Sequence, residues 1–549
     1  MTAAMKAETP GFTMNTPAAT ATQPSLYVRQ TSGLVRTVGP RTALFANLVG
    51  MGIIVNYFWI VFASAGYPNA NLVTTVGIGV LINLGVGYVY WMLASTMPRS
   101  GGDYVFLGRI FHPSIGLGTN LLFTVVFITW AGYFAYYTAI FGIPTTLAAY
   151  SVAGGGTAAL TMAGTLSSSL SDQFLVGLFV LLLVVLVSLL PTKWIFRTVV
   201  GIFVLSGIIF IIMLGLLLTT SQATFAADWN TLNTGAYSYQ SLASSENGLT
   251  GITFTGTFLG IVYTMLSFIG YANSSYYGGE IRGNPTRTQG LAIFGAPLIF
   301  AALIAGLYAA TYATFGRNFL IGVSVTFVTP GNTLTAIPSP LFLVSYLLHG
   351  DPVLAGFLAF GLILTFFGFS LVYFIIPTRN LFSWSFDRIL PTAFATVNRN
   401  GVPWVAVIAL AVASLIVVYV GVYTTLLSYL SYSNFGFWLA VGLVCLGGAL
   451  FPFLRPQMFQ SAPRIVRARI GRVPVITIVG IASWISAWFV SYAASTASYV
   501  EPSGAYSYAY LVFLPIVFVI GVVLYWVSRA IQMSRGVPMD LINKELPPE

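Results

Sequence analysis

The protein has 549 residues, of which 57% are hydrophobic and 6% are charged, and its mean hydropathy is +0.88. Because soluble domains carry about 25% charged residues, this composition excludes a soluble protein and predicts an all-α polytopic membrane protein. The net charge of +10 does not indicate a nucleic-acid partner here, since Lys and Arg set the orientation of membrane spans. A single cysteine, Cys445, excludes an internal disulfide. His112 and His349 lie on different predicted loops, so no metal site is expected.

Twelve apolar runs follow an N-terminal segment, residues 1–39, that is rich in Thr, Ala and Pro and lacks the apolar core of a signal peptide. We expect that segment to be a disordered cytoplasmic tail. The runs have roughly the 20-residue length that crosses a bilayer. They cover residues 40–65, 71–96, 114–150, 172–190, 198–221, 252–278, 290–315, 351–378, 403–423, 425–450, 473–496 and 505–529. Residues 530–549 form a second predicted cytoplasmic tail.

The basic residues support this topology. With both termini inside, 21 of the 22 Lys and Arg residues fall in inner segments, and only Arg317 falls in an outer loop. Such a bias follows the positive-inside rule and predicts an even number of spans in the plasma membrane. Four arginines within 464–472 are interpreted as topology determinants, with binding of anionic lipid as the alternative.

The first predicted span is interrupted by Gly50-Met51-Gly52. Each glycine weakens a helix by about 1 kcal/mol relative to Ala, and it also lets another group approach the backbone closely. A helix broken at bilayer depth leaves N–H and C=O groups unpaired, which hydrocarbon does not tolerate. We therefore expect a polar ligand to meet this break.

A second interruption, Phe268 to Ser275, lies in the sixth span, where Gly270 precedes Asn273. Both breaks occupy the leading helix of a five-helix set. Interrupted helices at matching positions of two halves are typical of a transporter binding site, whereas a single glycine break more often serves helix packing.

Four stretches resemble the amino acid–polyamine–organocation superfamily of transporters, most closely its prokaryotic amino acid permeases. They are the Gly-Met-Gly-Ile break at 50–53, the loop at 97–109 that begins Met-Pro-Arg-Ser-Gly-Gly-Asp-Tyr, the sixth-span ending at 268–287 and the loop at 379–403. The resemblance covers roughly residues 40–450. It implies a five-plus-five inverted repeat (about 40–221 and 252–450) with broken first and sixth helices. A basic loop with two C-terminal helices (451–529) follows this core.

The resemblance further implies alternating-access transport of an amino acid. A broken helix can donate N–H groups to the substrate carboxylate from a half-helix starting near Gly52, and accept from its ammonium at the carbonyls of Leu48 and Val49. The family pattern adds sixth-helix carbonyls at Phe268, Ile269 and Tyr271. The predicted substrate-binding residues are Val49, Gly50, Met51, Gly52, Ile53, Phe268, Ile269, Gly270, Tyr271 and Asn273. Further candidates for lining the side-chain pocket are Trp130, Tyr133, Phe366, Phe367 and Tyr432.

No charged residue lies deep in a predicted span. A buried charge is costly and usually functional, so its absence favours a neutral, apolar substrate. Family members couple transport to Na⁺ through hydroxyls of the eighth helix or to H⁺ through a fifth-helix lysine. This chain lacks that lysine, and its candidate hydroxyls are Ser206, Thr365 and Ser370. Asp103 and Glu280 are candidates for gating or proton relay, with a solvated interfacial charge as the alternative for Glu280.

Three alternatives remain open at this stage. The chain could transport another organic amine or a nucleobase, or it could be a membrane-embedded amino acid sensor, although the short tails leave little room for an output domain. An integral membrane enzyme ranks last, because the sequence shows no metal-ligand cluster, catalytic histidine constellation or nucleotide loop. No cofactor is expected beyond a coupling ion, and the sequence does not determine the oligomeric state.

Overall fold

The computed structural model describes residues 36–245, 251–332, 334, 336–424, 433–496 and 508–539. Within these residues it contains twelve helices long and apolar enough to cross a membrane, which confirms the predicted all-α, twelve-span class. The spans are Pro40–Gly66, Leu72–Thr96, Pro113–Gly155, Leu170–Ser188, Thr192–Thr219, Phe254–Tyr276, Pro285–Phe315, Pro352–Phe386, Trp404–Tyr423, Ser433–Leu454, Val475–Ser495 and Val512–Ser534.

Shorter elements connect the spans. The short α-helices are Asp103–Ile110, Thr157–Ser168, Gln222–Leu232, Tyr239–Ser245, Arg317–Val328, Pro340–Leu343 and Pro456–Ser461. Single 3₁₀ turns cover Gly235–Tyr237, Gly278–Glu280, Val344–Leu347 and Thr392–Ala395. The two strands β1 (Arg469–Ile470) and β2 (Val473–Pro474) pair antiparallel, with Ile470 opposite Val473.

Both predicted breaks are present in the backbone. The first span consists of the helices Pro40–Met51 and Asn56–Gly66, and Gly52 between them adopts the left-handed conformation with φ = +67°. Only glycine takes up that conformation at little cost. The sixth span runs as α-helix through Phe254–Leu259 and Ile261–Phe268, and then narrows to a 3₁₀-helix at Ile269–Tyr276.

The broken spans lie at the centre of the molecule. The first half of span one packs against the 3₁₀ segment of span six and against spans five, seven and eight. Spans four, nine and twelve expose long apolar side chains at the periphery, as lipid-facing helices do. The breaks therefore lie where the surrounding spans can satisfy their backbone groups.

One predicted boundary is wrong in a way that matters for function. The eighth span continues to Phe386 instead of ending near residue 378, so Arg379 lies inside it. Pro377 did not end the helix, because tertiary packing can tolerate a proline within a membrane helix. Residues 425–432 at the predicted start of the tenth span, residues 1–35 of the N-terminal tail and residues 540–549 of the C-terminal tail lie outside the described residues.

Candidate functional site

The two breaks touch each other directly. A Cβ atom on Gly270 would lie within 2.5 Å of the carbonyl oxygen of Gly50, and one on Gly50 would collide with the side-chain amide of Asn273. Only hydrogen side chains permit this approach between spans one and six. The glycines that sequence reasoning assigned to ligand binding thus also hold the two breaks in contact.

Asn47 joins the two breaks through its side chain. Its Nδ2 donates to the carbonyl of Tyr271 at 2.6 Å and to the carbonyl of Ala292 in span seven at 3.1 Å. In return, the backbone N–H of Ser274 donates to its Oδ1 at 2.9 Å. Gln289 completes the network, because it accepts from the Ser274 hydroxyl and donates to the Ser274 carbonyl. Sequence reasoning assigned Asn47 no role, although a buried Asn beside a break was the available signal.

These bonds correct part of the expected backbone chemistry. The Tyr271 carbonyl already accepts from Asn47, and the Leu48 carbonyl accepts the N–H of Gly52 at 3.0 Å. These bonds leave each carbonyl oxygen with at most one further lone pair for an ammonium group. The second half-helix begins at Asn56, four residues after the expected start.

The backbone between the half-helices still offers open groups. The N–H groups of Ile53 and Ile54 have no hydrogen-bond partner among the described residues. Asn56 fixes the start of the half-helix, since its Nδ2 donates to the Gly52 carbonyl at 2.9 Å and its Oδ1 accepts from Tyr308 at 3.2 Å. This is a helix N-terminus of the kind that binds anions.

An aromatic cavity lies beside the breaks. Its volume of about 30 Å³ holds only about two water molecules, so a larger ligand requires its aromatic side chains to move. Tyr373 also donates to the Gly50 carbonyl at 2.6 Å, and Trp130 donates to Ser433 at 2.6 Å. The aromatic cavity is lined by Trp59, Trp130, Tyr133, Phe134, Tyr137, Leu266, Ile269, Phe369 and Tyr373.

Only some of the predicted residues reach the aromatic cavity. Trp130, Tyr133 and Ile269 line it, whereas Tyr271 packs edge-to-face against Tyr90 of span two, 5.7 Å between centroids. Met51 is fully buried among core residues. Phe366 packs against the aromatic ring of a first-span residue, Phe58. Tyr432 lies outside the described residues. Sequence reasoning missed the aromatic residues Trp59, Phe134, Tyr137, Phe369 and Tyr373, because aromatic residues are 15% of the chain and carry little positional signal.

A second, smaller cavity of about 10 Å³ lies against the first break. It brings together two of the three predicted coupling hydroxyls, Ser206 of span five and Thr365 of span eight, with the first-span residues Val49, Gly52 and Ile53. We call it the hydroxyl cavity. The third candidate, Ser370, donates instead to the carbonyl of Ala131 at 2.7 Å and lies elsewhere. The remaining lining residues are Leu48, Ile202 and Phe203.

The predicted inner end of span six carries a buried ion pair. Arg379 Nε donates to Glu280 Oε1 at 2.8 Å and its Nη2 donates to Oε2 at 3.3 Å, a bidentate geometry. Glu280 is 0% exposed and Arg379 is 1% exposed. The alternative of a solvated Glu280 is therefore wrong, and the expectation that no charge lies deep in a span missed the buried Arg379. The extended eighth span explains both errors, since it carries the arginine to the carboxylate.

Asp103 is also fully buried, but its hydrogen-bond partners are neutral. Its Oδ2 accepts from Asn120 of span three at 3.0 Å, and Tyr276 of span six faces the same carboxyl group. Burial raises the pKa of Asp103 from 3.8 to about 6, although the hydrogen bonds from Tyr276 and Asn120 oppose that shift. Asp103 begins the short helix Asp103–Ile110, outside the spans.

We expect Asp103→Asn to be as heat-stable as the wild type at pH 4 and more stable at pH 7. The folded protein holds the Asp103 proton up to about pH 6, whereas an unfolded chain releases it near pH 4. Wild-type stability therefore falls as pH rises between these values, and the neutral Asn variant avoids that loss. Thermal unfolding in detergent from pH 4 to 8 measures the difference. If the melting temperatures of the two proteins changed equally with pH, the raised pKa assigned to Asp103 would be wrong.

Comparison with known proteins gives the family. The family described as Amino acid permease matches residues 42–518, which is most of the chain. A short likeness, 28% identical over 83 residues, joins the chain to Uncharacterized protein 399 of Sulfolobus islandicus rod-shaped virus 1. It covers 15% of this chain and 21% of the viral protein, so it carries no functional argument. The twelve spans, the two touching breaks and the family match lead to one conclusion: this multi-pass membrane protein belongs to the amino acid permease family.

Proposed function

We propose that the protein is a secondary active transporter that moves a neutral, apolar amino acid across the plasma membrane by alternating access. The observation that carries this proposal is the aromatic cavity beside the two breaks. None of its lining residues is charged. A charged substrate side chain would lose its hydration there without gaining a counter-ion, whereas an apolar side chain would be stabilised by contact with Trp130, Phe369 and the neighbouring rings.

The backbone of the first break is the proposed site for the substrate's charged groups. The open N–H groups of Ile53 and Ile54 and the N-terminus of the Asn56–Gly66 helix suit a carboxylate. Ile269 of span six lines the aromatic cavity beside this break. The ammonium group would then lie toward the carbonyls before the break, among which those of Leu48 and Gly50 already accept a hydrogen bond.

Ion coupling is proposed at the hydroxyl cavity. Hydroxyl and carbonyl oxygens are the ligands that hard cations such as Na⁺ prefer. Ser206 and Thr365 offer two hydroxyls beside the backbone of Val49 and Gly52. Because Gly52 also lies between the two half-helices, a cation there would stabilise the break that holds the substrate.

The Glu280–Arg379 pair and Asp103 are proposed to act in gating. Both lie at the end of span six that the topology places inside the cell, and each links span six to a neighbour: Glu280 to span eight, Asp103 through Asn120 to span three. The inverted repeat of spans one to five and six to ten, and cytoplasmic termini, belong to the same proposal.

Uptake into proteoliposomes tests this function. We expect accumulation of a radiolabelled apolar amino acid from a panel covering all twenty, with no uptake of Lys, Arg, Glu or Asp. Separate sodium and proton gradients, each imposed alone, identify the coupling ion. If sodium drives uptake, Thr365→Val should reduce the coupled rate at least tenfold, while Ser370→Ala, a hydroxyl outside the hydroxyl cavity, should leave the sodium dependence unchanged.

Each contrary result has a defined meaning. Absence of uptake and exchange across the panel, with saturable binding retained, would favour the sensor alternative. Uptake of an organic amine or a nucleobase, without uptake of any amino acid, would mean that the proposed substrate class is wrong. If the Thr365 and Ser370 variants lost the same fraction of sodium-driven uptake, the hydroxyl cavity would not be the coupling site.

A further inference from the structure

A basic hairpin lies between spans ten and eleven, outside the transport pathway proposed above. Here the basic hairpin means residues 464–474, which contain β1 and β2 and follow the short helix Pro456–Ser461. Its four arginines are all exposed, and the loop from residue 455 to 474 contains no Asp or Glu. The hairpin arginines are Arg464, Arg467, Arg469 and Arg472.

The hairpin is ordered by its own contacts. Val466 is fully buried in the main core, and the N–H of Val475 donates to the carbonyl of Ala468 at 2.9 Å. These contacts fix the hairpin to the first residue of span eleven. Its arginines are held in place as a group, although their side chains extend into solvent.

Apolar side chains alternate with the arginines. Ile470 is 66% exposed and Val473, directly opposite it in the strand pair, is 43% exposed. Ile465 on the preceding turn is also exposed. Exposed aliphatic groups interleaved with arginines match the composition of segments that lie in the membrane interface, where the apolar groups enter the headgroup boundary and the cations meet phosphates.

The chain length keeps the hairpin close to the bilayer. From Gly471 at the hairpin turn to Val475 at the start of span eleven the chain extends at most about 14 Å. The negative potential of an anionic leaflet decays over about 8 Å at physiological ionic strength. Arg469 and Arg472 lie nearer than the turn, because Arg469 pairs with Pro474 and Arg472 is three residues before Val475. These two arginines are therefore the ones closest to lipid phosphates, on the side that the positive-inside rule places in the cytoplasm.

We propose that the basic hairpin is a binding surface for anionic phospholipid headgroups of the surrounding bilayer. Arg469 and Arg472 contact the lipid phosphates, while Ile470 and Val473 are buried at the headgroup boundary. Arg455 contributes less, because its Nε already donates to the carbonyl of Arg109 at 2.6 Å.

Native mass spectrometry of the full chain in detergent tests this surface without any substrate. The probes are dioleoylphosphatidylglycerol and dioleoylphosphatidylcholine, titrated separately. We expect tighter binding of phosphatidylglycerol, and a loss of about 25-fold in the Arg469→Gln/Arg472→Gln variant, since each of the two arginines near a surface contributes a factor of about five. Arg469→Lys/Arg472→Lys should retain binding, and Ile470→Ser should weaken it.

Arg287→Gln is the matched control, because it removes one exposed inner arginine outside the hairpin. Equal losses in the control and the hairpin variants would mean diffuse charge attraction and would overturn the site, as would unchanged binding in the hairpin variants. If the Arg469/Arg472 variant fails to fold, Arg464→Gln/Arg467→Gln provides the same test. A failed uptake experiment would leave this result untouched.

Discussion

Gly270→Ala should reduce substrate uptake at least tenfold while the protein still inserts into membranes. The new methyl group would lie within 2.5 Å of the Gly50 carbonyl oxygen and would also meet the backbone nitrogen of Met51. Backbone atoms cannot rotate away, so spans one and six must separate, and overpacking of this kind typically costs about 1–3 kcal/mol. The separation would displace the open N–H groups proposed to hold the carboxylate. Initial uptake rates in proteoliposomes measure the effect.

Gly306→Ala is the matched control for this substitution. Gly306 lies in the neighbouring span seven, and a Cβ atom there meets nothing within 4 Å. The Gly306→Ala protein should therefore take up substrate at the wild-type rate. Full activity in the Gly270 variant would show that the contact between the two breaks has no role in the transport site.

Glu280→Gln should lower the free energy of unfolding by about 3–5 kcal/mol, because it leaves the Arg379 guanidinium buried without its counter-charge. The remaining side-chain partner of Arg379 is the neutral hydroxyl of Thr378, at 2.9 Å. Denaturant unfolding of the purified protein, followed by tryptophan fluorescence, measures the difference.

The double variant Glu280→Gln/Arg379→Gln separates charge from packing. We expect it to recover most of the lost stability, since two neutral side chains can be buried where one unpaired charge cannot. Arg287→Gln, an exposed charge removal at the start of span seven, should change stability by less than about 0.5 kcal/mol. If Glu280→Gln changed the free energy of unfolding as little as Arg287→Gln does, the ion pair would contribute nothing to stability.

The two breaks could be predicted from the sequence because closely spaced glycines, or glycine with Asn and Ser, interrupt runs that are otherwise apolar and long enough to span. Position 52 has a left-handed backbone, and position 270 lies against the backbone of Gly50, and both conditions favour glycine. In the sequence, each appears as a glycine inside a run that would otherwise continue as helix. The twelve spans were predictable for a similar reason, since hydropathy over about 20 residues reports directly on burial in a bilayer.

The remaining parts of the site depend on contacts between residues far apart in the chain. Asn47 meets Tyr271 across 224 positions, and Arg379 meets Glu280 across 99. A single sequence gives no indication of such pairs. The eighth span was predicted to end at residue 378, yet its helix continues to Phe386, and this error concealed the buried arginine. The aromatic cavity could not be predicted because aromatic residues occur in almost every span. Their presence therefore does not distinguish residues that line a cavity from residues that only pack.

The Asn47 network has a consequence for the energy barrier of transport. Its bonds connect spans one, six and seven to each other, so a rearrangement that moves these spans together breaks none of them. Such a motion must break bonds to other spans, and those to the eighth span are Tyr373 to the Gly50 carbonyl and Arg379 to Glu280. The rate of conformational exchange should therefore respond to changes at Tyr373 and Arg379, while Asn47 determines whether the moving unit holds together at all.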